Sequence, residues 1–302
     1  MIQDAPQGIA RALRAPVVYV TGKGGVGKST ISAAIAVAMA RSGRRAALVE
    51  FDDDEAGGRA LRGADVRVEH VVATYDAALE ATLSPIVGGG LIARAVVKQH
   101  ALRRLIRGMP ALREFVSLEN VRQLSASGRF DVVVVDLPAS GHALDWLRVP
   151  LAFERFLKGG PLGALGRRVY DEVVAKGRAD VVIVTLAEPL VIKETEELSR
   201  KFHTEFARSP ALVVVNRIAS RDPDGAAEAV SRLADERPDD PHPRELAKIL
   251  RSRAAIAADA FEALRLASGL DGVKVLAIPE APADPQVSDV VRWLDMSVKA
   301  TA

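Results

Sequence analysis

The sequence predicts an α/β fold, a mostly parallel, doubly wound sheet with helices on both faces. Short apolar runs rich in β-branched residues alternate with helical patterns along the 302 residues, which is typical of parallel sheets covered on both faces. A glycine-rich stretch at 21–30 connects the first apolar run to an alanine-rich segment. This is the strand–loop–helix order of a phosphate-binding loop, so the fold is expected to be a P-loop NTPase sheet.

The elements follow from the pattern in chain order. Strands are predicted at 17–20, 46–51, 130–136, 181–186, 211–216 and 273–278. Helices are predicted at 28–42, 74–83, 91–108, 110–125, 153–176, 193–207, 225–235, 244–266 and 286–298. We expect one domain over 1–302, with a helical subdomain at about 70–127 plus 150–177 inserted between the second and third strands.

Composition narrows the function. The net charge is only +2, which gives no reason to expect a nucleic-acid partner. The chain has no cysteine, which excludes a disulfide scaffold, a thiolate zinc site and a cysteine-bound iron–sulfur cluster. Neither a signal peptide nor a membrane-spanning apolar run is recognisable, so we expect a cytoplasmic protein without an integral membrane span.

The glycine-rich loop has the residue types that bind a nucleotide triphosphate. Its glycines let backbone N–H groups point into one concave site, and the following helix N-terminus adds positive potential. Lys28 is expected to reach the β- and γ-phosphates of ATP, and the Ser29 hydroxyl to bind Mg²⁺. The predicted nucleotide-binding residues here are Gly22, Lys23, Gly24, Gly25, Val26, Gly27, Lys28, Ser29 and Thr30. The alternative is a flexible glycine turn with two solvated lysines.

A P-loop also needs an acidic residue at the end of a neighbouring strand to hold Mg²⁺. Asp136, which closes the run Phe130–Asp136, is the candidate metal ligand. The alternative is an aspartate that only caps the next helix.

Two motifs carry a family resemblance. The loop reads GKGGVGKST, and the run from Asp136 to Pro150 resembles the DTAPTGHTLRxLxxP motif, with Leu-Pro-Ala-Ser in place of Thr-Ala-Pro-Thr. The chain therefore resembles the dimeric ATPases with a deviant Walker A loop, which include the arsenite-pump ATPase ArsA, tail-anchored-protein targeting ATPases, MinD and ParA. The resemblance implies that Lys23 crosses a dimer interface to the partner's nucleotide. It also implies that Ser140, Gly141 and His142 belong to a switch that senses the γ-phosphate.

The same resemblance assigns the residue that orients the attacking water. The second strand ends in a run of acidic residues, Glu50–Glu55, and Asp52 matches the switch aspartate of the family. Asp53 replaces the family proline, and the neighbouring carboxylates would repel a triphosphate unless Mg²⁺ and the lysines offset them. Turnover is therefore expected to be weak, and a solvated acidic turn is the alternative.

Two further positions match residues that contact adenine in the family. Asn216 ends a predicted strand, and Pro279 follows the last one. The Gly-His switch and the long helical insertion fit ArsA better than MinD or ParA. Because the chain corresponds to one ArsA-like half, a two-site enzyme requires a homodimer or a sister subunit.

These observations predict a Mg²⁺-dependent switch ATPase that moves its helical subdomain to handle an unknown client protein or ligand. One alternative is a non-hydrolysing scaffold subunit of a heterodimer, and a second is a MinD/ParA-like surface-partitioning ATPase. A metalloid client is disfavoured because cysteine is absent. Apolar residues between Leu79 and Val97 could form a groove for a hydrophobic client, or they could simply pack as core.

Overall fold

The computed structural model describes residues 8–51, 55–84, 110–138, 143–157, 161–218, 226–237, 240–267, 273–281 and 284–300. They divide into two compact units. The first unit lies within 1–184 and 286–300, and the second within 185–285.

Strands and helices alternate along most of the described chain. The strands are β1 Val17–Gly22, β2 Ala46–Phe51, β3 Glu69–Ala73, β4 Val132–Asp136, β5 Ala179–Leu186, β6 Leu212–Ile218 and β7 Lys274–Pro279. The helices are α1 Ile9–Ala12, α2 Lys28–Arg41, α3 Ala56–Ala60, α4 Tyr75–Leu83, α5 Pro110–Ala126, α6 Ala143–Phe156, α7 Pro161–Val173, α8 Pro189–Phe206, α9 Ala226–Glu236, α10 Pro241–Ala267 and α11 Val287–Ala300.

The first unit contains a parallel sheet in the order β3-β2-β4-β1-β5. Every residue of β1, β2 and β4 is buried, so both faces of these central strands are covered. Helix α2 packs on the same three strands, and its many alanines allow a close approach. Helix α11 packs on α2 in turn, with Val290, Val291 and Leu294 fully buried.

Helices α4 to α7 make up the described helical part of the first unit. Ala78, Leu79 and Val116 form a buried cluster between α4 and α5, and the Phe115 ring stacks on the Phe153 ring of α6 with centroids 4.2 Å apart. Leu79 is therefore core rather than groove. The other proposed groove residues from 86 to 97 lie outside the described ranges.

The second unit is built on the parallel pair β6 and β7. An irregularity between Val215 and Ile218 shifts the register just before β6 ends. Helix α10 contacts α8, α9 and β6. The carboxyl ends of both strands therefore lie side by side, where Ile218 is the partner of Pro279.

The predicted α/β fold with a parallel sheet is confirmed, but one strand was missed. Residues 70–73 were assigned to the helical subdomain, whereas they belong to β3, so the helical insertion follows β3 rather than the second strand. The strand is half-exposed at the sheet edge and begins with two polar residues, so its sequence lacks the apolar run that marks the other strands. The helix predicted at 153–176 is two helices, α6 and α7.

Three other sequence-based statements have different outcomes. The helix predicted at 91–108 lies outside the described residues, and the single domain over 1–302 stays a prediction. Within the part of the chain that the structure describes, no helix has the length and apolar character needed to cross a membrane.

Candidate nucleotide site

The glycine-rich loop connects β1 to α2 and begins with a residue that must be glycine. A Cβ atom on Gly22 would lie 2.1 Å from the backbone oxygen of Val184 in β5. No side chain fits at that distance, so this glycine lets β1 lie flat against β5 where the loop turns away. The close contact between Gly22 and the β5 backbone therefore fixes where the chain leaves β1 and enters the loop.

The loop presents its tip to solvent and its end to the helix. Residues 23–25 are exposed, whereas the Val26 side chain is buried and anchors the loop. Gly27 is the N-cap of α2 and provides no side-chain cap. The N-terminus of this 14-residue helix therefore begins directly at the loop, as at other helix N-termini that bind phosphate.

Lys28 lies in the first turn of α2 with only 7% of its surface exposed. Its Nζ donates a hydrogen bond to the backbone oxygen of Lys23 at 3.3 Å, so the ammonium group lies over the loop. A cation in that place can contact phosphate oxygens bound to the loop amides. Lys23 itself is exposed.

Asp136 ends β4 beside Val20 of β1, which places its carboxylate against the first turns of α2. Ser32 Oγ donates a hydrogen bond to Asp136 Oδ1 at 3.1 Å. Burial raises the pKa of Asp136 to about 6, and the charge of Glu50 adds to that effect. Hydrogen bonds from Ser29 and Ser32 and the charge of Lys28 act in the opposite direction.

The arrangement of Ser29 and Asp136 fits a Mg²⁺ ion. A buried carboxylate whose ionisation is costly gains from a cation nearby, and the Ser29 hydroxyl is within hydrogen-bonding reach of that carboxylate. Mg²⁺ is commonly held by one or two protein oxygens together with substrate phosphates. Among the residues described, no group of three histidines or acidic residues offers an alternative metal site.

Glu50 does not belong to the acidic turn in which the sequence placed it. It is 1% exposed, and its carboxylate accepts hydrogen bonds from the backbone N–H groups of Gly57 at 2.7 Å and Gly58 at 2.9 Å. The His70 ring on β3 contacts the same carboxylate at 2.6 Å. The reason is that Glu50 is still inside β2, where its side chain points into the protein.

The two residues predicted to contact adenine lie in the second unit. Asn216 is buried near the end of β6, and the next residue, Arg217, has a left-handed backbone with φ of 56°. Pro279 ends β7, and the backbone N–H of Glu280 donates to the oxygen of Ile218 at 2.8 Å. The structure thus brings Asn216 and Pro279 to the same end of adjacent strands.

Four predicted switch residues lie outside the described residues: Asp52, Ser140, Gly141 and His142. Their roles stay predictions. Sequence reasoning also missed residues that the structure brings to the site. Ser32 could have been found, because it lies three residues after Ser29 on the same helical face. His70 gave no signal, because a lone histidine at a strand edge fits many roles.

Comparison with known proteins gives a family match and several relatives. Residues 17–264 match the family described as the CobQ/CobB/MinD/ParA nucleotide-binding domain. The ATPase BagA of Mycobacterium tuberculosis is 28% identical over 220 residues, which cover 66% of this chain and 64% of the relative. An arsenical pump-driving ATPase of Acidiphilium multivorum is 28% identical over 178 residues, 49% of this chain and 28% of the relative. The septum site-determining protein MinD of Buchnera aphidicola is 26% identical over 223 residues, 68% of this chain and 78% of the relative.

These matches define a P-loop nucleotide-binding class. The chain belongs to the CobQ/CobB/MinD/ParA nucleotide-binding domain family, and the predicted resemblance to ArsA-related ATPases is confirmed. This chain covers 64% of the length of BagA, which is less than two thirds.

Proposed function

We propose that the protein is a Mg²⁺-dependent ATPase of the ArsA-like class. The observation that carries the proposal is the placement of Asp136 beside the P-loop helix, where Ser32 holds it and both Ser29 and Lys28 influence its pKa. The family match supports nucleotide binding. Hydrolysis, the metal and the client go beyond that match.

In the proposed reaction, the loop amides and Lys28 bind the β- and γ-phosphates of ATP and hold them in line for attack. Ser29 and Asp136 would hold Mg²⁺, which neutralises charge on the phosphate oxygens. Asp52 orients the attacking water by accepting its hydrogen bond. Asn216 and Pro279 contact the adenine.

We further propose that the active form is a dimer, either with itself or with a sister subunit. Lys23 is exposed at the tip of the loop, where it can reach a nucleotide bound to a partner. Ser140, Gly141 and His142 then relay the γ-phosphate state to the helical part. The contact between Lys23 and the partner's nucleotide stabilises the transition state most, because negative charge then moves onto the leaving oxygen.

The helical part offers a place for the proposed client. Helices α6 and α7 line a cavity of about 460 Å³ whose walls include Leu151 and Tyr170. Phe156 at the end of α6 is 87% exposed, which is unusual for a phenylalanine. These features support a client contact near α6, at a cavity whose walls also carry the charged residues Glu154, Arg155 and Arg167.

The two alternatives differ from this proposal in what they require. A non-hydrolysing scaffold would bind ATP without turnover, and the experiment below decides that point. A MinD-like protein needs an apolar helix face that is available to a membrane, whereas Val290, Val291 and Leu294 of α11 are buried against the rest of the first unit. Those three side chains therefore do not provide such a face.

The test is ATP hydrolysis with Mg²⁺ by the purified protein, with nucleotide affinity measured on every variant. We expect Asp52→Asn to bind ATP normally and to lose about a hundredfold or more in kcat, the size of a lost water-orienting group. Lys23→Ala should also have a lower kcat. Its ATPase activity per molecule should depend on protein concentration differently from that of wild type. Asp65→Asn is the matched control, because Asp65 is an exposed aspartate paired with Arg41.

The outcomes separate the proposals. Turnover by wild type and Asp65→Asn, together with an inert Asp52→Asn that still binds, supports the ATPase. Tight ATP binding by an inert wild type refutes hydrolysis by this chain alone and favours the scaffold alternative. ATP-dependent pelleting with liposomes would favour the surface-partitioning alternative.

A further inference from the structure

The buried carboxylate of Glu50 joins three consecutive elements of the first unit. Glu50 lies in β2, Gly57 and Gly58 lie in α3, and His70 lies in β3. Residues 51–56 connect Glu50 to Gly57 along the chain. The hydrogen bond between Glu50 and Gly57 therefore holds together the residues on the two sides of the segment 52–54. We name Glu50, Gly57, Gly58 and His70 the Glu50 clamp.

The hydrogen bonds of the clamp are complete and directional. A carboxylate only accepts hydrogen bonds, so His70 donates through Nε2–H. Oε1 accepts from Gly57, and Oε2 accepts from both Gly58 and His70. A carboxylate that is 1% exposed would be destabilising without such donors, so the clamp is one interdependent unit.

The glycines of the clamp are fixed by steric contact. A Cβ atom on Gly58 would lie 2.4 Å from Cε1 of the His70 ring, so the ring lies directly against the backbone of α3. A Cβ on Gly57 would be 3.0 Å from Oε1 of Glu50. The amide groups therefore meet the carboxylate only because side chains are absent there.

The clamp is also close to the proposed metal ligand. Val49 of β2 is the register partner of Val135 of β4, so Glu50 and Asp136 occupy the next positions of adjacent parallel strands and point to the same face. The Glu50 charge acts on the pKa of Asp136. One carboxylate thus lies beside Asp136 and holds the flanks of the segment that contains Asp52.

We propose that Glu50, supported by His70, is a positioning residue for Asp52. The proposal rests on the ATPase function proposed above. Glu50 fixes the end of β2 and the start of α3 relative to each other, and Asp52 follows Glu50 by two residues. The clamp therefore acts on Asp52 by holding the chain on both sides of the segment that contains it.

The experiment compares variants of the clamp with a matched buried acid. Glu50→Gln keeps the side-chain size and loses the charge. His70→Leu loses the donor, whereas His70→Gln keeps one. The control is Glu119→Gln, because Glu119 is also buried, at 2% exposure, and accepts three hydrogen bonds from Arg122 and Gln123. We expect Glu50→Gln and His70→Leu to lose about tenfold to a hundredfold in kcat, with KM within about twofold of wild type.

Hydrogen exchange over residues 50–58 gives a readout that does not need turnover. In wild type, Mg²⁺-ATP should slow exchange at Gly57 and Gly58, and in Glu50→Gln that slowing should be lost although ATP still binds. His70→Gln should resemble wild type in both measurements. Glu119→Gln should lower the melting temperature while leaving kcat and this exchange unchanged.

The result that overturns the proposal is a Glu50→Gln variant that matches Glu119→Gln in kcat and in exchange. A change in KM alone would overturn it equally, because positioning of Asp52 acts on the chemical step. If wild type binds ATP but shows no turnover, the ATPase proposal fails. The exchange comparison between Glu50→Gln and Glu119→Gln then decides by itself whether the clamp orders this segment in the nucleotide complex.

Discussion

The buried charge of Asp136 should make the nucleotide-free protein less stable than a variant without that charge. The pKa of this carboxyl rises from 3.8 to about 6 on folding, a difference of about two pH units. At about 1.4 kcal/mol for each unit, ionisation of Asp136 in the folded protein costs about 3 kcal/mol. Asp136→Asn should remove that cost, because an amide keeps the size of the side chain and can still accept the hydrogen bond from Ser32.

The sign of the pH dependence follows from the same shift. Between about pH 4 and pH 6 the folded protein retains a proton that the unfolded chain has released, so the free energy of unfolding falls as the pH rises. Above about pH 6 both states are ionised at this position, and the penalty is constant. The Asn variant lacks this slope.

The assay is urea denaturation of wild type and Asp136→Asn from about pH 4 to pH 8, without nucleotide. We expect equal stability near pH 4 and an advantage of about 2–3 kcal/mol for the variant at pH 8. With Mg²⁺ and ATP present, wild type should recover the difference, because a ligand that binds only the folded protein stabilises it. Asp65→Asn is the control of opposite sign, since Arg41 lowers the pKa of Asp65.

Two results would refute this reasoning. One is a wild-type stability that does not fall between about pH 4 and pH 6 relative to Asp136→Asn. The other is a variant that is less stable than wild type at pH 8 without nucleotide. Either result would mean that the carboxylate is stabilised as an anion in the folded protein.

Other substitutions test the fold around the site. Gly22→Ala puts a methyl group 2.1 Å from a β5 backbone oxygen, so we expect the free energy of unfolding to fall by about 3 kcal/mol or more and ATP binding to be weak. The control is Gly128→Ala, at a position that also has a positive φ but has open space around it. This substitution should lower the free energy of unfolding by only about 1–2 kcal/mol. Arg122→Leu removes two of the three hydrogen bonds that the buried Glu119 carboxylate accepts, those of 2.6 and 2.8 Å, which should cost about 3–5 kcal/mol by thermal unfolding. Arg167→Leu, which breaks an exposed pair with Asp171, should cost under about 1 kcal/mol, and equal losses for the two arginines would contradict the argument.

Two parts of the site could be predicted from sequence: the phosphate-binding loop and the aspartate at the end of β4. The loop from Gly22 to Thr30 and the helix after it depend on residue types within one segment, so spacing alone located them. Asp136 was found because strand ends in a parallel sheet meet at one edge. In both cases the pattern of the strands fixed the position of the residue.

The rest depends on contacts that local patterns do not contain. Glu50 and His70 are 20 residues apart and meet only because β3 pairs with β2 at the sheet edge, and β3 itself was missed. The acidic run around Asp52 therefore looked uniform, although Glu50 is buried in β2. The break between α6 and α7 was overlooked, although Gly160 and Pro161 mark a helix boundary in the sequence.

The return of α11 to the first unit has a consequence for the order in which the chain can fold. Helix α11 covers α2, the helix that begins at the phosphate-binding loop, and Asp295 accepts a hydrogen bond from the backbone N–H of Ile9 at 2.9 Å. Residues 185–285 form a separate unit between these parts of the first. During translation the phosphate loop is thus made before residues 185–285, but the helix that follows the loop gains its cover only after α11 leaves the ribosome. Packing around the phosphate loop is therefore completed only after the whole intervening unit has been synthesised.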